Sequence, residues 1–230
     1  MKLAFNTYVY EVARWPIEKT LKSAARMGFR YTEYCACGSG DPTAMSAAKR
    51  RRILKMHADL GLESSQLLLA NVEHMASPSA RTRRQVLDYM KRIRETGAMV
   101  GLSAHNPQVL DYVESKGWDI DYYMTALYYI NRPREEFEKI LGELPHGELY
   151  LPSDPPKMMA AVRKTAKPCL AYKVLAAGRT VGSPKLVRER MAVALNGIKP
   201  TDAVIIGLYQ RFNDQIGQTA QFVREIMATA

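Results

Sequence analysis

The sequence predicts an α/β protein, a (β/α)8 TIM-type barrel near the small end of its size range, and three observations point there. Short apolar segments of strand length alternate with longer helical segments along 230 residues. The joints are short, and several carry Asp, Asn or Ser followed by Pro, which cap a helix and fill its first position. No Gly-x-Gly-x-x-Gly follows the first strand, so a doubly wound dinucleotide fold lacks its fingerprint. Seven strands are clear and an eighth is left open, so the barrel is either complete or one strand short.

In chain order, Leu3 to Val9 reads as the first strand, and Trp15-Pro16 opens a helix that runs through Met27 and ends at Gly28. Tyr31 to Cys37 is the second strand, and Asp41-Pro42 precedes a helix to about Leu60, stopped by Gly61. Ser64 to Ala70 is the third, followed by a loop with Asn71, Glu73 and His74, then a basic helix from about Ser79 to Glu95. Met99 to Ala104 is the fourth, with Asn106-Pro107 starting a helix that stops at Gly117. Asp121 to Tyr128 follows, then a helix from about Pro133 to Leu144; Glu148 to Leu151 reads as a very short strand or a loop. Asp154-Pro155 opens the next helix. Ala203 to Leu208 is the last strand and Asp214 to Met227 a closing helix.

The stretch Lys167 to Thr180, KPCLAYKVLAAGRT, stands apart. Its apolar run from Cys169 to Leu175 reads as a strand buried on both faces, interrupted by Lys173. Burial disfavours an ammonium, so a lysine inside such a strand is expected to titrate low, or to pair with a carboxylate. Ala176-Ala177-Gly178 then turns tightly and Arg179 projects just beyond. Ser183-Pro184 caps the following helix.

The bulk numbers narrow the class. A chain of this length buries a full core as one large domain or two small ones. No apolar run approaches ~20 residues, and the first residues lack a leader pattern, so a cytoplasmic protein without a membrane partner is expected. Cys35, Cys37 and Cys169 are odd in number and match neither a zinc nor a redox spacing, which reads as free thiols in a reducing compartment. The net charge of +10 is uneven: residues 1–100 carry 17 Lys and Arg against 9 Asp and Glu, residues 101–230 carry 16 against 14. Much of the excess lies in Lys49-Arg50-Arg51-Arg52 and in Arg81, Arg83 and Arg84. These read as solvated helix faces, and the absence of interleaved aromatics argues against nucleic acid.

Residues 1–92, through LAFNTYVYEVARWPIEKTLKSAARMGFRYTEY and SSQLLLANVEHM, resemble the xylose isomerase-like barrels, the sugar phosphate isomerase/epimerase superfamily. That resemblance implies an isomerase or epimerase and a divalent metal, Mn, Zn or Mg, held by Glu, Asp and His at strand ends. Residues 99–230 resemble the C-terminal half of an aldo/keto reductase-like barrel, through VGLSAHNP, CLAYKVLAAGR and AVIIGLYQRFNDQIGQTAQFV. This second resemblance implies NADPH, with Lys173, Arg179, Gly207 and Arg211 toward its phosphates. Together the two imply a single domain with a recombination junction within 81–97 and one strand-helix unit lost. A missing strand would leave an exposed edge that invites a homodimer.

Barrel sites gather at the C-terminal ends of strands. Those ends present Asn6, Glu33, His74, His105 and Asn106, Tyr128, Lys173 with Arg179, and Tyr209 with Arg211. Such hydrogen-bonding groups suit a small polar ligand, a sugar or sugar phosphate. Metal-assisted sugar chemistry would use Glu33, His74 and His105 as ligands. Acid–base or Schiff-base chemistry would centre on Lys173, with Tyr128 or His105 moving protons. A third reading is a natural or engineered chimeric barrel that binds without catalysis. Its ground is that the late strands DYYMTALYY, LAYKVL and VIIGLYQ carry no Glu, Asp or His at their C-terminal ends.

Overall fold

Breakers and caps set the element boundaries in the computed structural model, which describes residues 4–7, 14–35, 41, 44–69, 79–94, 99–209 and 212–228. They form two compact units, Met1–Ser103 with Asp119–Asp121, and Ala104–Trp118 with Tyr122–Ala230.

In the first unit the order is β1 (Ala4–Asn6), α1 (Ile17–Arg26), β2 (Tyr31–Cys35), α2 (Ala47–Leu60), β3 (Glu63–Leu69), α3 (Ala80–Arg94) and β4 (Val100–Ala104), whose last residue enters the second unit. The strands are parallel in sequential order, with Asn6 opposite Glu33, Glu33 opposite Gln66, and Leu67 opposite Val100. Helix α1 buries Ile17, Thr20, Leu21 and Ala24, the one-sided stripe of an amphipathic helix. Ile17 and Leu21 are fully covered, which contributes about 1.5–3 kcal/mol each. Helix α2 starts at a different place from the one the sequence suggested. Ser46, not Asp41-Pro42, caps it, its hydroxyl accepting from the Lys49 amide, and Gly61 ends it at φ 65°. His57 on this helix stacks on Tyr34 and hydrogen-bonds its hydroxyl, a structural role. Arg51, Arg52, Arg81 and Arg84 are exposed, and Arg52 pairs with Glu18 of α1.

The second unit continues through α4 (Gln108–Ser115), β5 (Tyr122–Ala126), α5 (Arg134–Leu141), α6 (Asp154–Lys164), β6 (Cys169–Tyr172), α7 (Pro184–Gly197), β7 (Ala203–Val204) and α8 (Gln215–Ala228). Its strands are also parallel, with Thr125 opposite Ala171 and Ala171 opposite Val204. Every residue of β5 is buried, as a strand covered on both faces requires. Glu114 of α4 accepts from the Tyr123 hydroxyl at 3.0 Å and the Thr165 hydroxyl at 2.8 Å, tying that helix to β5 and to the end of α6. The chain is thus an α/β protein with seven parallel strands among its described residues, each alternating with helix. Glu148–Leu151 is loop, so α5 and α6 follow one another with no strand between.

One expectation about β6 is corrected. The strand ends at Tyr172, and Lys173 sits just past it in the left-handed region, φ 57°, so its side chain is at a strand end and not inside a buried ladder. Ala176, Ala177 and Gly178 are left-handed as well, at φ 50°, 51° and 87°. Three non-glycine residues in this region within five positions cost about 1–2 kcal/mol each, so the surrounding contacts must hold them there. Ser183 does cap α7 as expected, its hydroxyl accepting from the Leu186 amide at 3.2 Å.

Candidate functional site

The C-terminal ends of β4 and β6, with the loop between α5 and α6, bring together seven side chains of the second unit. His105 follows β4. The next residue, Asn106, accepts from the Gln108 amide at 2.9 Å, which starts α4 and fixes the direction in which the chain leaves the strand. His105 Nε2 lies 2.8 Å from the Tyr172 hydroxyl, and the two rings meet edge-on at 5.6 Å. The other ring nitrogen, Nδ1, is buried and has no hydrogen-bond partner among the described residues.

Lys173, next to Tyr172, turns its ammonium to the opposite loop. Nζ donates to Glu148 Oε2 at 3.2 Å and to the Tyr150 hydroxyl at 3.0 Å. Tyr150 in turn donates to Glu148. Tyr150 gathers two cations: Lys173 Nζ lies at its hydroxyl edge, 5.5 Å from the ring centre, and the Arg179 guanidinium carbon lies 4.2 Å from that centre. Against Tyr150 the buried Tyr128 ring packs at 5.1 Å. Arg179 bonds only the Ala176 carbonyl of its own turn, at 3.3 Å, and has no carboxylate partner among the described residues.

Electrostatics follow from this packing. Burial pushes the His105 imidazole down to about 4, the Lys173 charge adds to the shift, and Glu148 opposes it. The ring is therefore neutral at pH 7. Burial also raises the Tyr128 hydroxyl above its ordinary value, keeping it protonated. The Glu148 carboxyl is held below its usual range by the Tyr150 hydroxyl and then by Lys173.

A pH dependence of stability follows from His105. Its folded value lies below the 6.5 of a free histidine, so between about pH 6.5 and 4 the unfolded chain binds the extra proton. The contribution of the neutral ring is complete above pH 6.5 and is lost as pH falls through 4. Discounted for partial exposure, it amounts to about 1–2 kcal/mol. Urea unfolding at pH 7.0, 5.5 and 4.5 should show this loss in the parent chain and a flatter profile in His105→Phe. Because His57 is also lowered by burial, the difference between the two profiles is the informative quantity.

Of the residues anticipated from sequence, His105, Tyr128, Lys173 and Arg179 belong to this one cluster. Asn106 stands beside it as a helix cap. Tyr209 is 58% exposed and packs edge-on against Phe212 at 5.9 Å. Glu33 is buried in β2 of the first unit, and Asn6 is the last residue of β1. The Asn6 side chain, His74 and Arg211 lie outside the described residues. Among the described residues no group of three His, Cys, Asp or Glu could hold a metal ion. Sequence reading missed Tyr172, Glu148 and Tyr150. Tyr172 was adjacent to a flagged residue, whereas the other two reach Lys173 across more than 20 positions and leave no local trace.

No protein-family model matches the chain, and no curated protein does. Solved structures do. An uncharacterized protein from Parabacteroides distasonis is similar over 100% of this chain and 99% of its own, at 15% identity and a TM-score of 0.51, a likeness of fold. A xylose isomerase domain containing protein from Salmonella typhimurium is similar over 97% and 96%, at 11% identity and 0.47. A xylose isomerase-like TIM barrel protein from Mycobacterium smegmatis, solved in complex with magnesium, is similar at 13% identity and 0.31. This chain spans 62% of that protein's length. The aldo/keto reductase likeness of residues 99–230 gains no support from these structures. Among the described residues no helix is long and apolar enough to cross a membrane.

Proposed function

We propose that this chain is a sugar isomerase/epimerase-like barrel protein that binds a small anionic polar ligand, a sugar phosphate, at the ends of β4 and β6. The single observation that carries this reading is the pair of cations gathered on one tyrosine, Lys173 at the Tyr150 hydroxyl and Arg179 over its ring, with Glu148 as the carboxylate partner of Lys173. Two cations against one carboxylate leave net positive charge, and Arg179 has its donors to spare for an oxyanion. Neutral His105 and protonated Tyr128 supply hydrogen bonds to hydroxyl groups, not a charged base. This balance favours recognition of a polar ligand over imine chemistry at Lys173, whose ammonium is engaged by Glu148 and Tyr150.

Calorimetric titration with ribose 5-phosphate and ribose tests the reading. Charge-assisted hydrogen bonds contribute about 1.5–3 kcal/mol, so Lys173→Ala and Arg179→Ala should each weaken the phosphorylated sugar about 10- to 100-fold and leave ribose nearly unchanged. Unaltered affinity in both variants would remove this site as the ligand's location.

A further inference from the structure

Glu148 is the one acid on the Lys173–Tyr150–Arg179 cluster, and its position is that of a ligand. It enters from a loop, not from the strand framework, and its carboxylate takes two of the three hydrogen bonds that Lys173 directs to that loop, at 3.3 and 3.2 Å; the third goes to the Tyr150 hydroxyl. It accepts the Tyr150 hydroxyl as well, so all the donors of the cluster except the Arg179 fork converge on it. The Glu148 side chain is nevertheless 49% exposed and the Lys173 side chain 21%, so the pair is open to solvent and not in the core. An exposed ion pair is weak and exchanges readily with a competing anion.

We infer that Glu148 is the specificity-determining residue of this site: it occupies the anion position when no ligand is bound and yields it only to a doubly charged phosphomonoester. This rests on the reading of the site as an anion-binding one and adds the selection rule. A phosphate monoester above pH 6 carries close to two charges and three acceptor oxygens, enough to span Lys173 and Arg179 at once. A sugar carboxylate carries one charge and the same two oxygens as Glu148, so it gains nothing by replacing a tethered competitor. A neutral sugar cannot displace it at all. Removing the charge of Glu148 should therefore tighten phosphate binding and admit monoanions.

The experiment titrates the parent chain, Glu148→Gln and Glu148→Ala with ribose 5-phosphate, gluconate and ribose at pH 7.5, with thermal unfolding to confirm that each variant is folded. Expected is a 5-fold or greater gain in affinity for ribose 5-phosphate in both variants, together with new binding of gluconate. Binding by the variants with none by the parent chain supports the same conclusion. If the parent chain binds ribose 5-phosphate and both variants bind it equally or more weakly, Glu148 orients Lys173 instead of competing with ligand. That result overturns this inference and leaves the proposed function standing. If neither parent nor variants bind any of the three, the anion-site reading itself fails, and the inference with it.

Discussion

Asp154→Ala should lower the unfolding free energy by about 3–5 kcal/mol, the largest effect expected of any single substitution described for this chain. The Asp154 side chain is 1% exposed and its partner Arg132 is 0% exposed. One carboxylate oxygen takes the Arg132 guanidinium, and the other accepts from the amides of Tyr129 and Leu151 at 3.3 Å each. Arg132 also donates to the Tyr129 carbonyl and, at 3.2 Å, to Glu136. Alanine would leave two amides without their acceptor and a buried cation with only the half-exposed Glu136 as a charged partner. In a chain of this size about 2–4 °C of melting temperature accompanies each kcal/mol, so the midpoint should fall by about 6–20 °C. Pairing Arg132→Met with Asp154→Leu should recover part of the loss, because no charge is then left uncompensated. A deficit under about 1 kcal/mol in the single variant would mean that the pair is solvated in solution.

Asp202→Ala is expected to come next, at about 3–4 kcal/mol. Its side chain is fully buried and accepts from the Cys169 amide at 2.9 Å and the Lys199 amide at 2.8 Å. The Lys199 ammonium reaches the same carboxylate at 3.0 Å and the Val162 carbonyl at 2.7 Å. One residue therefore closes the turn before β7, opens β6 and satisfies a half-buried lysine. Asp202→Asn retains an acceptor for the amides and should lose about half as much. Chemical denaturation of the three proteins at pH 7 and equal salt decides the point; equal losses in Asn and Ala would assign the effect to charge alone.

The alternation of strand and helix was legible because it is written in local chemistry. Gly28 and Gly61 terminate α1 and α2 as read, and Ser183 caps α7. What local chemistry does not encode is where an apolar run stops being a strand. Cys169 to Leu175 is continuous in hydrophobicity apart from Lys173, and Val174 is 3% exposed, yet the ladder ends at Tyr172 because Lys173 turns left-handed. A buried turn and a buried strand present the same pattern. Asp41-Pro42 failed as a helix start for a related reason: Ser46, four residues on, offers the better-placed hydroxyl. The candidate site was half legible. His105 and Lys173 lie directly after strands and Arg179 in the turn beyond β6, whereas Glu148 and Tyr150 enter through tertiary contact alone.

The segment from Gly142 to Ser153 replaces a strand with a loop, and both its ends are pinned, by the left-handed Gly142 closing α5 and by the Asp154 network opening α6. Sequence within those bounds carries no ladder and little core, so it is an exchangeable cassette. Libraries grafted between the two anchors would retune what the pocket accepts while leaving the scaffold's folding energetics almost untouched.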